Sequence, residues 1–182
     1  MRPERVRALV LVSTPGPVWT PPPQTRRYMR HPRLMFPFFC VGAYRRMSRE
    51  LAGTFPVRRQ RIGAAVRYGR LVLGAPGSPS RMSRRASQAI GSSFTQDCAR
   101  IALPTLVVTG DPDLDGVVPV ATSLEYARLI RGAQVARLAG TGHLGVVTRP
   151  ERFADLVVGF ALGHAESQPN VRIVRGLRGA SS

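Results

Sequence analysis

His143 stands in the segment Gly140-Thr-Gly-His143, and about 30 residues upstream lies the acidic segment Gly110-Asp-Pro-Asp-Leu-Asp115. A histidine works as a general base when one ring nitrogen faces the group to be deprotonated and a carboxylate holds the other. The carboxylate fixes the tautomer and stabilises the imidazolium that forms during reaction. Asp111, Asp113 and Asp115 all compete for that role, and each has an alternative reading as part of an Asx turn with no catalytic duty. The corresponding alternative for His143 is a loop histidine that caps the next helix. His31 and His164 read as ordinary surface residues. Cys40 and Cys98 have a spacing that gives neither a disulfide framework nor a zinc site, which makes a reducing, cytoplasmic setting the default. No metal or cofactor is expected.

Groups of this kind need a scaffold. Residues 5–14 (RVRALVLVST) are almost continuously apolar and β-branched, the pattern of a strand buried on both faces in a parallel sheet. A Pro-rich linker follows from Pro15 to Pro23. Residues 26–96 read as helical, with breaks at Pro32, Pro37, Pro56 and the turn at 75–80. Pro104 to Thr109 forms a second buried strand, residues 122–131 a helix, and residues 134–138 a third short strand. Pro150 to Leu162 forms an amphipathic helix with Phe153, Leu156, Val157 and Phe160 on one face. Alternating strands and helices predict an α/β sheet. The expected organisation is a sheet strand in 1–19, an Arg-rich helical block in 20–100, the rest of the sheet domain in 101–163 and a disordered tail in 164–182.

Charge is unevenly spread over these parts. All 27 basic residues are arginine, against 10 acidic ones, for a net charge of +17. The block from 22 to 100 holds 16 arginines against only Glu50 and Asp97. Exclusive arginine beside abundant Ala, Gly, Val and Pro fits GC-rich codon usage better than a selected phosphate-binding surface, which commonly mixes in lysine. There is no nucleic-acid motif and no regular basic stripe, so no nucleic-acid partner is expected. No apolar run approaches the roughly 20 residues that cross a bilayer, so no transmembrane segment is expected.

The stretch from 103 to 162 resembles the C-terminal part of the α/β-hydrolase family. The likeness rests on LPTLVVTGDPDLDGVVP, a helix ending LIRGAQ, and LAGTGHLGVVTRPERFADLVVGF. In that family one loop, G-x-x-D or D-x-x-V-P, delivers the triad acid. A later G-x-G-H loop delivers the histidine, in the same chain order. The resemblance implies His143 as base and Asp115 as acid, because Asp115 has the D-x-x-V-P spacing to Pro119. Asp113, with the G-x-x-D spacing from Gly110, is the alternative acid. Asp111 is expected to face solvent or bond loop amides. Residues 20–100 occupy the place of the family's variable helical cap.

The same resemblance implies a nucleophile that is absent. The family's serine sits in G-x-S-x-G on a strained strand-to-helix turn, beside backbone amides that form an oxyanion hole. No G-x-S-x-G occurs among the 182 residues. Gly91-Ser92-Ser93 lacks the second glycine, and Ser13 is followed by Thr-Pro-Gly. Both missing parts precede the Val6 strand in family order. The expectation is therefore a truncated, partial α/β-hydrolase fold of about three parallel strands with flanking helices and an inserted helical cap. Its family chemistry is hydrolysis of an ester, thioester or related carbon–heteroatom bond, and the chain is expected to be inactive alone. Its partner is expected to be a small hydrophobic or acyl substrate once the missing half completes it, with association through an open sheet edge. The apolar patch Leu34, Met35, Phe36, Phe38, Phe39, Val41 and Tyr44 would line such a pocket or pack the cap. The alternatives are a non-catalytic binding module and a basic surface or nucleic-acid-binding protein.

Overall fold

A computed structural model describes residues 5–74, 78–90 and 93–163. Their order is β1 (Leu9–Val12), α1 (Pro23–Arg30), α2 (Pro32–Thr54), α3 (Arg58–Gly74), α4 (Pro79–Ala89), α5 (Thr95–Ala99), β2 (Thr105–Thr109), α6 (Val120–Leu129), β3 (Gln134–Arg137), α7 (Gly145–Thr148) and α8 (Pro150–Ala161). Residues 164–182, including His164 and the segment expected to be a disordered tail, lie outside the described residues, as do Gly91 and Ser92.

The three strands form one parallel sheet in the order β1-β2-β3. Leu9 pairs with Thr105 and Val12 with Val108, while Leu106 pairs with Gln134 and Thr109 with Arg137. Every residue of β2 is buried. Side chains alternate across the sheet, so its near-continuous apolar run serves both faces at once. On one face Leu106 and Val108 meet Ala136 and Leu138, and then Leu156 and Phe160 of α8, with Phe153 packed alongside. On the other face Val107 meets Cys98, Tyr126, Ile130 and Ala133, with Leu11 and Ile101 beside them. Helices thus cover both sides, and each buried Leu, Val or Phe contributes about 1.5–3 kcal/mol.

β1 is shorter than its apolar run. Its ladder begins where the Leu9 N–H donates to the Pro104 carbonyl at 2.9 Å and ends where the Ser13 N–H donates to that of Val108 at 3.0 Å. Ser13 then turns the chain out of the sheet with φ at 41°, ahead of Pro15. The exit is held from below, because the Ser123 hydroxyl of α6 donates to the Thr14 carbonyl at 2.7 Å.

The helical block has its own packing. Tyr28 is buried and stacks on Phe39 with ring centroids 4.6 Å apart. The Ser83 hydroxyl of α4 donates to the Met29 carbonyl at 2.7 Å. Pro32 separates α1 from α2 as expected, but Pro37 is not a break, since α2 runs through it. Pro37 removes the bond to the Arg33 carbonyl and crowds that oxygen, but both residues are exposed, so water can serve it. The apolar patch on α2 is not one surface. Phe39 turns inward to Tyr28, while Leu34, Phe38, Val41 and Tyr44 are exposed, Leu34 at 72%.

Candidate active site

Two loops at the carboxyl ends of β2 and β3 bring Asp115 and His143 together, at the usual location for reactive groups in a parallel sheet. The Asp115 carboxylate Oδ1 lies 3.7 Å from Nδ1 of His143. The Asp115 side chain is 2% exposed and that of His143 32%, so a sealed carboxylate backs an imidazole that still reaches outward. The same Oδ1 accepts the N–H groups of Val117 at 3.0 Å and Val118 at 2.9 Å. Asp115 therefore makes its local turn and faces the histidine at the same time. An N–H···O hydrogen bond spans about 2.7–3.2 Å, so at 3.7 Å the two groups face each other without a formed hydrogen bond. His143 Nδ1 is buried with no hydrogen-bond partner. Such contacts are often long in unliganded sites and tighten when substrate binds.

Opposing influences act on the Asp115 carboxyl. Burial pushes its pKa up, but interaction with His143 and the bonds from the Val118 and Val117 amides outweigh burial. The net effect holds it below the ordinary carboxylate value and keeps it ionised. Asp113 is exposed, and the structure does not bring it to His143. Asp111 bonds a loop amide, accepting the Gly140 N–H on Oδ2 at 2.9 Å, and pairs with Arg137 Nε at 2.6 Å. His31 is exposed between α1 and α2.

The two loops interlock. The Asp111 N–H donates to the Thr141 carbonyl at 2.7 Å, and the Thr141 hydroxyl donates to that of Leu138 at 2.6 Å. Gly142 leaves room for this approach, because a Cβ there would run into the Leu114 carbonyl and lie 2.9 Å from the Asp115 nitrogen. The segment after His143 forms a short helix, α7.

Sequence reasoning missed Glu50. It is 1% exposed, near the end of α2, and its carboxylate accepts the Leu144 N–H at 2.8 Å and the Thr148 hydroxyl at 3.1 Å. Its signal was its isolation as one of two acids among 16 arginines in 22–100.

Among the described residues no hydroxyl or thiol is bonded to the His143 ring, and no three His, Cys, Asp or Glu side chains gather to hold a metal ion. Cys40 and Cys98 are both unpaired. A cavity of about 400 Å³ lined by Val18, Trp19, Pro21, Arg26 and Ile90 lies apart from the acid–base pair.

The fold of the described residues recurs in solved structures. An α/β-hydrolase enzyme from a Medee basin deep-sea metagenome library superposes with a TM-score of 0.64 at 16% identity, over 87% of this chain and 57% of that one. An esterase from Exiguobacterium antarcticum gives 0.62 at 15% identity, over 86% and 57%. A meta-cleavage product hydrolase from Pseudomonas fluorescens, complexed with acetates, gives 0.55 at 22% identity, over 88% and 57%. The chain carries part of the α/β-hydrolase fold. It spans less than two thirds of the length of these α/β-hydrolase structures. No protein-family model matches the sequence. No curated protein matches it either.

Proposed function

We propose that this chain supplies the acid and the base of a cofactor-free hydrolase acting on an ester, thioester or related carbon–heteroatom bond. His143 is the general base and Asp115 the residue that orients it. The observation that carries the reading is the ionised, sealed Asp115 carboxylate 3.7 Å from His143 Nδ1. With Nδ1 directed at Asp115, the other ring nitrogen is left to take a proton from a nucleophile and later return it to the leaving group. The fold neighbours include an esterase, which agrees with this chemistry but at 15% identity speaks for the fold alone.

The nucleophile and the oxyanion donors come, on this reading, from sequence outside these 182 residues. A small hydrophobic or acyl substrate would bind between that portion and the helical block. Losing one triad member from a complete hydrolase leaves about 10³–10⁴-fold catalysis, because oxyanion hole and binding survive. On this reading the nucleophile and the oxyanion hole are missing together, so the 182-residue chain alone is expected to be inert. No helix among the described residues is long and apolar enough to cross a membrane. With two unpaired cysteines, a reducing cytoplasm is the proposed setting.

Hydrolysis of a nitrophenyl ester tests this. The 182-residue chain alone is expected to read as buffer. A version joined to a segment bearing G-x-S-x-G is expected to turn over and to lose that activity on His143→Ala. Turnover by the 182 residues alone that disappears with His143→Ala overturns the need for an outside nucleophile. Full activity of the joined protein carrying His143→Ala overturns the role of the base.

A further inference from the structure

Glu50 is the buried carboxylate that the acid–base reading leaves without a task. It belongs to α2, yet it is 94 residues from its partner Leu144, in the segment that carries His143. A carboxylate at 1% exposure loses its hydration and persists only when bonded. Both oxygens are used here: Oε2 takes the Leu144 N–H at 2.8 Å and Oε1 the Thr148 hydroxyl at 3.1 Å. The same face of α2 touches the acid loop one turn earlier. A Cβ on Gly116 would lie 2.8 Å from the Arg46 carbonyl, so Gly116, next to Asp115, gives α2 room to pack. One helical turn thus braces the residue after the acid through Arg46 and the residue after the base through Glu50.

We propose that Glu50 is a positioning residue for His143. By anchoring the Leu144 amide it fixes the backbone on which the imidazole stands and keeps Nδ1 turned toward Asp115. The proposal rests on the acid–base reading of Asp115 and His143. It adds that the helical block, and not only the sheet loops, determines the orientation of the base. What matters is the hydrogen bonding of Glu50 rather than its charge. A glutamine can accept the Leu144 N–H on its carbonyl and donate its amide to the Thr148 oxygen, so Glu50→Gln should preserve what Glu50→Ala destroys.

The test is the tautomer of His143, read from imidazole 15N shifts in the full 182-residue chain at a pH where the ring is neutral. In the wild type His143 is expected as the Nδ1–H form, whereas exposed His31 reports the unconstrained mixture. Glu50→Ala should move His143 to the His31 mixture, and Glu50→Gln should restore the Nδ1–H form. A His143 that keeps its tautomer in folded Glu50→Ala overturns the proposal, and so does a Glu50→Gln that fails to restore it. Asp115→Ala, which removes the oxygen that faces the ring, separates the two claims. If that variant leaves the tautomer intact, the acid–base reading itself falls; if it collapses the tautomer while Glu50→Ala does not, only the role of Glu50 falls. Should Glu50→Ala not fold, Thr148→Val removes one of the two bonds and should give a partial shift, with no shift counting against the proposal. If neither folds, slow hydrogen exchange at the wild-type Leu144 amide supports the anchor and unprotected exchange refutes it.

Discussion

Asp111 and Gly140, 29 residues apart in sequence, are joined by a hydrogen bond of 2.9 Å from the Gly140 N–H to Oδ2. The other carboxylate oxygen pairs with Arg137 at 2.6 Å. One side chain therefore ties the start of the acid loop to the start of the base loop. The two bonds differ in worth. The Arg137 side chain is 55% exposed, so its ion pair is screened and contributes no more than about 1 kcal/mol. The amide bond is to an anionic acceptor on a side chain only 20% exposed, and hydrogen bonds to charged groups are worth about 1.5–3 kcal/mol. Asp111→Ala is expected to destabilise the chain by about 2 kcal/mol and Arg137→Ala by less than about 1 kcal/mol in urea unfolding. Equal losses for the two would mean that the loop tie is not what Asp111 provides.

The depressed pKa of Asp115 makes stability depend on acid in a defined direction. Its folded pKa lies below the ordinary value of 3.8, so folding favours the ionised form. The contribution is fully present above the unfolded value and is lost as pH falls through the folded one. The window therefore opens below about pH 4, and neutral pH lies outside it. Asp115→Asn keeps an oxygen for the Val117 and Val118 amides but has no charge to lose. Its unfolding free energy is expected to be lower than wild type at pH 6 and to converge on it toward pH 2. Parallel wild-type and variant curves across that range would contradict the assignment.

The sheet was legible because a parallel strand buried on both faces has to be apolar almost throughout, as β2 is; β1, read the same way, is only half-buried. The α8 stripe was legible for a related reason, with Leu156 and Phe160 buried where the helical period places them. The pairing of His143 with Asp115 rather than Asp113 was legible from spacing to Pro119, since the helix that begins there fixes the geometry of the loop. Other features depend on long-range contacts that no local pattern encodes. Glu50 sits in Arg-Arg-Met-Ser-Arg-Glu, which reads as a solvated face, and only the docking of Leu144 and Thr148 onto α2 buries it. Pro37 read as a break because propensity treats proline locally, whereas α2 is held at both ends by other packing. The apolar residues of α2 read as one patch because composition does not say that Phe39 turns to Tyr28 while Phe38 faces out.

Two glycines should respond oppositely to an added methyl group. At Gly142 the new Cβ would meet backbone, the Leu114 carbonyl and the Asp115 nitrogen, neither of which can swing aside. Gly142→Ala is expected to cost at least about 1–3 kcal/mol by overpacking and to push the two loops apart. Gly53, in α2, has nothing within 4 Å of its would-be Cβ. Gly53→Ala should gain about 0.5–1 kcal/mol, because alanine loses less backbone entropy in a helix. Thermal unfolding of both variants checks the pair, and a destabilised Gly53→Ala would show that α2 is not helical at that point.

The outer edge of β1 makes a prediction about association. The Leu9 and Ser13 amides donate toward β2, so with the two-residue period of a strand the Val10 and Val12 amides point the other way. Among the described residues nothing pairs with that side. An unpaired parallel edge with a Leu-Val-Leu-Val sequence is a template for another strand. The 182-residue chain is expected to self-associate with rising concentration in sedimentation or light scattering. Val10→Pro removes an outward-facing donor without breaking the ladder to β2, since proline is tolerated where the missing N–H faces outward. It should therefore shift the chain toward monomer even though some packing of Val10 against the Leu106 cluster is lost. Association left unchanged by Val10→Pro would place the contact elsewhere, the exposed Leu34, Phe38 and Val41 on α2 being the next surface to alter.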